Sequence, residues 1–140
     1  MSDIEFVEPI IKNSKHIAIL GCSNKPYRTS YQVAEYLLNH DYNIYPINPN
    51  HTTSLNYHCC NTMHDIPDEI SIDIVDIFRN SKYTAEMVDQ IVEWSEERNQ
   101  KPVIWTQLGV SSEEAKQKAD AHEFTYIKNR CLMADHRRLF

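Results

Sequence analysis

Apolar positions along this chain fall into short blocks that alternate between two spacings. Ile17-Ala18-Ile19-Leu20 is an unbroken apolar run, and a run without polar alternation fits a strand covered on both faces, as in a parallel sheet. Further strands are expected at Asn43 to Ile47, at Ile72 to Phe78, at Val103 to Trp105 and at Phe124 to Ile127, with Pro46 and Pro49 stopping the first of these. Between the strands the spacing changes to three and four. Val33, Tyr36, Leu37 and Leu38 follow the capping-box pattern Thr29-x-x-Gln32 and predict a helix to about His40. Met87, Val88, Ile91 and Val92 give one apolar face to a helix over 84–97, with Trp94 on its flank, and Ala115 and Ala119 follow a second capping-box pattern, Ser111-x-x-Glu114. One more helix is expected over Asp3 to Asn13. Residues 48–64 carry neither period and read as an irregular polar excursion, which at this length is usually functional or mobile.

Strand and helix alternate with connections too short for anything but right-handed crossovers. The expected fold is therefore α/β: a Rossmann-like, doubly wound, mainly parallel five-stranded sheet with helices on both faces. One domain over 1–140 is expected, without repeats or a linker, since 140 residues is close to the commonest domain size.

Composition narrows the function. Apolar stretches of five to eight residues are too short to span a membrane, and the acidic start Met1-Ser2-Asp3-Ile4-Glu5 is unlike a signal peptide, so the reading is a soluble cytoplasmic protein. A net charge of −6 argues against a general role on nucleic acid. The charge is uneven, however. From Pro9 to Ala34 there is no acid while Lys12, Lys15, Lys25 and Arg28 are present, and from Lys128 onward Lys128, Arg130, Arg137 and Arg138 meet only Asp135. Two basic segments in an acidic chain point to a focused anion site.

The four cysteines read as free thiols in a reducing compartment. His58-Cys59-Cys60, with His51 and His64 nearby, invites a zinc reading. Adjacent residues of an extended segment point to opposite sides, and no Cys-x-x-Cys pair occurs, so no metal site is expected.

Gly21 and Gly109 are the only glycines, and each follows an apolar run, where a chain so poor in glycine needs positive φ or a close approach. Gly21 opens a loop that leads through Ser30 into a helix, an arrangement that turns backbone N–H groups and a positive dipole end toward a phosphate. In a doubly wound sheet, ligands bind outside the carboxyl ends of the strands. The residues expected there are Gly21-Cys22-Ser23, Asn48-Pro49, Phe78-Arg79, Gln107-Leu108-Gly109 and Asn129-Arg130. Two arginines, several amides and hydroxyls and one aromatic ring suit a nucleotide carrying phosphates. No Ser-His-acid set or acid pair stands among them, and Asp76 sits inside its strand, so no catalytic apparatus is expected. A nicotinamide dinucleotide fits less well. The loop has one glycine where the dinucleotide fingerprint has three, and Asn48-Pro49 stands where an acid would hold the adenosine ribose. An NADP variant can dispense with that acid, which leaves a small NADP-linked oxidoreductase as the alternative. The Walker A pattern is absent.

Six segments occur in an order that resembles a known family: Gly21-Cys22-Ser23-Asn24-Lys25-Pro26-Tyr27-Arg28-Thr29-Ser30-Tyr31, Tyr45-Pro46-Ile47-Asn48-Pro49, Asp65-Ile66-Pro67, Asp73-Ile74-Val75-Asp76-Ile77-Phe78-Arg79, Trp105-Thr106-Gln107-Leu108-Gly109-Val110 and Asn129-Arg130-Cys131. They resemble the small stand-alone CoA-binding proteins, whose fold is similar to the CoA-binding domain of the succinyl-CoA synthetase α subunit. The resemblance runs from about Lys15 to Leu139. It implies a Rossmann-like sheet that binds coenzyme A or an acyl-CoA, with no established reaction. On this reading the loop takes the pyrophosphate: Gly21 allows close approach, Ser23 and Ser30 donate hydrogen bonds, and Arg28, with Lys25 beside it, supplies charge. The adenine would lie near Asn48, Pro49 and Phe78, and Arg79, Gln107, Gly109, Asn129 and Arg130 complete the expected site.

The chain departs from the family pattern at two places. Asn56 stands where a glycine is usual and is expected to tolerate a left-handed backbone. Cys22 stands where alanine is usual. Beside a helix N-terminus, Lys25 and Arg28, its thiol would ionise readily and be open to oxidation; packed inside, it would act as a small hydrophobe.

Overall fold

The computed structural model describes residues 3–55 and 57–140; Asn56, expected to be left-handed, lies outside the described residues. Helix α1 (Asp3–Asn13) precedes β1 (His16–Leu20), α2 (Thr29–Leu38) and β2 (Asn43–Ile47). A short hairpin, β3 (Thr53–Ser54) with β4 (Tyr57–His58), and a 3-10 turn over Met63–Asp65 lead to β5 (Ile74–Ile77). Then come α3 (Ser81–Arg98), β6 (Val103–Thr106), α4 (Glu113–Ala121), β7 (Tyr126–Ile127) and α5 (Leu132–Leu139).

Five strands form one sheet in the order β2-β1-β5-β6-β7, with every pairing parallel. The unbroken apolar runs follow from this, because alternate residues of each strand enter different layers. Ala18, Leu20, Val75, Ile77 and Ile104 face Val88, Ile91, Trp94, Ala115 and Ala119 of α3 and α4. Ile17, Ile19, Ile74, Trp105 and Ile127 face Val7, Ile11, Val33, Leu37 and Leu132 of α1, α2 and α5. Each valine, leucine or isoleucine among them, once buried, contributes roughly 1.5–3 kcal/mol relative to exposure.

Several boundaries differ from expectation, each for a local reason. Thr29 is the first helical residue of α2, so its capping box does not form; Arg28 is the cap residue and offers no side-chain bond. The α4 cap is Ser112, one residue on, because Ser111 Oγ is 2.8 Å from the hydroxyl of Tyr126. Helix α3 begins three residues early, where Asn80 Oδ1 accepts from Lys82 N at 3.0 Å. Residues 48–64 are not wholly irregular: the hairpin folds back until Cys60 N donates to Pro46 O and Asn48 N to Cys60 O, both at 2.9 Å, along the outer half of β2. Helix α5 falls where the sequence pattern predicts no element.

Strand β1 lies between β2 and β5, so the connections leaving β1 and β2 diverge to opposite sides. That divergence opens a crevice at the carboxyl ends of β1 and β5.

Candidate functional site

The crevice is built on one close approach of two loops. Gly21 has φ +82° and donates its N–H to Ile47 O at 2.8 Å. A Cβ on residue 21 would overlap the carbonyl oxygen of Phe78 and press on Arg79 Cδ at 3.1 Å. What the missing side chain admits is thus the backbone of the β5–α3 loop. At Gly109, φ is +77° and a Cβ would meet nothing within 4 Å, so the turn closed by Val110 N on Gln107 O at 3.0 Å requires only the backbone angle.

The loop after Gly21 is held internally. Ser30 Oγ accepts from Ser23 N at 2.9 Å, Ser23 Oγ accepts from Lys25 N at 3.0 Å, and Arg28 N donates to Lys25 O at 3.0 Å. Asn48 fixes it from β2, donating Nδ2 to Cys22 O at 3.1 Å while its Oδ1 accepts from Asn50 N at 2.9 Å. From the hairpin, Ser54 Oγ donates to Ser23 O at 2.8 Å. Both Ser23 and Ser30 keep a hydroxyl proton to offer a ligand, whereas both ends of the Asn48 amide are engaged.

Cys22 is fully buried, its Sγ 3.8 Å from Ser54 Oγ. Burial pushes its thiol up to about 11, with small further pushes from Cys59 and Asp76 against the pull of the Ser54 bond. Of the two readings of this residue, the packed hydrophobe stands and the easily ionised thiol does not.

Charge around the crevice is unbalanced. Lys25 and Arg28 are exposed, Arg79 is half-buried, and Lys82 follows on α3. Three of these heads rest on aromatic faces, Arg28 at 5.7 Å from Tyr27 and Arg79 and Lys82 each at 5.0 Å from Tyr83. None of the four meets a carboxylate among the described residues, whereas Lys116, Lys118, Arg98 and Arg130 each do. Helix α2, with no side-chain cap, adds N–H groups without intrahelical partners. Beside Gly21 and Arg79 lies a cavity of about 370 Å³ walled also by Leu20, Pro49, Thr62 and Gln90. A larger groove, about 600 Å³, runs along the outer edge of β2 past Tyr45 and Tyr57, away from these cations.

The remaining expected residues lie at the carboxyl ends of β6 and β7. Gln107 is buried with its Oε1 unpartnered among the described residues. Asn129 has φ +54° and its N–H reaches Thr106 Oγ1 at 3.3 Å. Arg130 grips Asp135 through Nε at 2.7 Å and Nη2 at 2.9 Å, and its carbonyl accepts from Trp105 Nε1 at 2.8 Å, so it ties the β7–α5 turn to the sheet. Ser54, Thr62, Lys82 and Gln90 were not expected at the crevice; Ser54 and Thr62 arrive because the polar excursion folds back on β2, which no short motif encodes.

A five-stranded parallel sheet with helices on both faces and a switch point between β1 and β5 defines a protein of the Rossmann-like α/β class. The chain belongs to the CoA-binding domain family, whose model matches residues 15–137. It is 31% identical over 130 residues to the uncharacterized protein YneT of Bacillus subtilis (strain 168), covering 93% of this chain and 91% of that one. A hypothetical protein from Pyrococcus horikoshii OT3 superposes with a TM-score of 0.87 at 36% identity, covering 99% of this chain and 92% of the other. The fold also recurs in the dinucleotide-forming acetyl-coenzyme A synthetase 1 of Ca. Korarchaeum cryptofilum, at TM-score 0.67 and 20% identity over 88% of this chain and 27% of that one.

Proposed function

We propose that this chain is a noncatalytic binding module for coenzyme A or an acyl-CoA, held at the carboxyl ends of β1, β2 and β5. The observation that carries this reading is the set of four cations that follow β1 and β5 in the chain, Lys25, Arg28, Arg79 and Lys82, without carboxylate partners among the described residues, together with the uncapped N-terminus of α2. Coenzyme A brings a pyrophosphate and a ribose phosphate, enough negative charge to occupy them. The pyrophosphate lies along the loop from Gly21 to Ser30, where the Ser23 and Ser30 hydroxyls donate and Arg28 closes over it. The adenine lies by Pro49 and Phe78, with Asn48 shaping the loop beneath it. Three charge-assisted bonds of roughly 1.5–3 kcal/mol each support micromolar affinity once the cost of association is met.

Calorimetric titration with CoA, acetyl-CoA, NADP and NAD tests this. Saturable binding of CoA or acetyl-CoA with weaker or no binding of the dinucleotides is expected; NADP or NAD bound in preference to CoA overturns it.

A further inference from the structure

The cleft does not end at the cations. From the cavity beside Gly21 and Arg79 it continues between the 3-10 turn and α3 into a pocket of about 230 Å³, the two sharing Leu20, Thr62 and Gln90 as walls. His64 from the turn and Glu93 from α3 line that pocket, and Glu97 stands one helical turn beyond Glu93. One donor atom of each of the three lies within 4.8 Å of the other two.

All three side chains are exposed, and two features describe how they are held. First, Glu93 and Glu97 are four residues apart on one helix, where like charges repel, and no lysine or arginine among the described residues pairs with either. Arg98, the next residue, turns elsewhere: its Nη2 donates to the His64 carbonyl at 2.8 Å and lies 3.3 Å from Asp68. The imidazole is the group that faces the acids, its Nε2 2.8 Å from Glu97 Oε2. Second, the imidazole is presented by a fixed backbone. Thr62 Oγ1 accepts from His64 N at 3.2 Å, Asp65 Oδ2 accepts from Asn61 N at 3.0 Å and Thr62 N at 3.2 Å, and Met63 is buried beneath the turn.

We propose that His64, Glu93 and Glu97 bind a divalent transition-metal ion of the zinc type. One imidazole nitrogen with two carboxylate oxygens suits such an ion better than magnesium or calcium, which take oxygen alone. Tetrahedral donors at about 2.1 Å from zinc stand about 3.4 Å apart, so side-chain rotation is enough to close the set. Three protein ligands leave a fourth position for water or a ligand group. The site makes no use of the neighbouring His58 or of the cysteine pair, and it does not rest on the identity of the nucleotide.

Metal-stripped full-length protein titrated calorimetrically with Zn²⁺ alone tests the assignment. One equivalent is expected to bind, and His64→Ala and the double variant Glu93→Gln/Glu97→Gln are each expected to weaken it about tenfold or more. His58→Ala and Cys60→Ser are expected to leave it unchanged. Co²⁺ bound in place of Zn²⁺ is expected to show no thiolate charge-transfer band. Absence of saturable binding, unchanged affinity in His64→Ala, or loss confined to His58→Ala or Cys60→Ser overturns the proposal. NMR of the unaltered chain gives a second readout free of substitution: selective perturbation of the His64 ring signals by Co²⁺ is expected, and unperturbed His64 signals at saturation overturn it.

Discussion

The carbonyl oxygen of Phe78 occupies the space in which a side chain on Gly21 would begin. Gly21→Ala therefore meets two penalties together, a left-handed backbone at φ +82° and an overlap with backbone that cannot rotate away. The expected cost is about 2–5 kcal/mol, combining roughly 1–2 for the backbone angle and 1–3 for overpacking. Urea denaturation of the variant measures it, and a loss under about 0.5 kcal/mol, the range of neutral surface changes, would show that the two loops part freely.

Arg28 and Arg79 are expected to act on ligand binding and not on the fold, since neither has an ion-pair partner to lose among the described residues. Arg28→Ala is expected to weaken CoA binding by about 1.5–3 kcal/mol with an unchanged melting temperature. Arg79→Ala is expected to lower affinity and also to flatten its dependence on salt. Calorimetry at two ionic strengths separates the effects.

Asp76 sets a different kind of test. Its carboxyl lies on β5 between Ile19 and Trp105, fully buried, with neither oxygen hydrogen-bonded among the described residues. Burial raises its pKa well above the usual carboxylate value, so the folded chain keeps a proton that the unfolded chain releases. The stability this proton represents is whole below about pH 3.9, the unfolded value, and is lost as pH rises toward the folded pKa. Asp76→Asn removes the titration while keeping the shape. The variant is expected to gain stability over the native chain progressively as pH rises above about 4 in urea unfolding; parallel curves would mean that Asp76 is charged and compensated.

His136 works in the opposite direction. It is buried against Tyr36, whose hydroxyl is 2.8 Å from its Nδ1, with the His40 ring centroid 5.0 Å away. Burial and then His40 lower its pKa, so the unfolded chain takes up a proton before the folded chain does. Stability is therefore expected to fall as pH drops through about 6.5, the unfolded value, toward the lower folded pKa. His136→Gln is expected to show a smaller fall between about pH 7 and about pH 5, read by thermal melts.

Cys22 is expected to resist alkylation in the folded protein at neutral pH, because a buried thiol titrating at about 11 offers almost no thiolate. Peptide mapping after brief iodoacetamide treatment checks this. Label on Cys22 before the partly exposed Cys60 and Cys131 would reverse the assignment.

The sheet was legible because its signal is local: Ile17 to Leu20 is apolar throughout since both layers claim it, and the same holds for Ile74 to Ile77 apart from Asp76. Capping was less legible. Thr29 and Ser111 carry the right side chains, but each sits one residue from a cap position, and a shift of one residue is decided by the loop and not by the motif. Helix α5 escaped because Leu132 is its only fully buried apolar residue and it is held by Arg130 to Asp135 and Tyr36 to His136, polar contacts without a period. At the carboxyl end of β1, the tight turn at Gly21 announced itself through the strand-to-helix loop. Glu93 and Glu97 looked like the solvated face of a helix until the fold brought His64, from the turn that precedes β5, beside them.

The placing of Cys60 along β2 has a consequence for the width of the sheet. Its N–H takes the Pro46 carbonyl and its carbonyl takes the Asn48 N–H, while Pro46 itself has no N–H to offer. At the opposite margin β7 is only Tyr126–Ile127 long. The carboxyl half of one border is thus occupied by the chain's own return and the other border is too short to template a neighbour, which are means by which a sheet avoids growing from molecule to molecule. A protein built on five largely apolar strands would otherwise be prone to fibrous assembly in crowded solution.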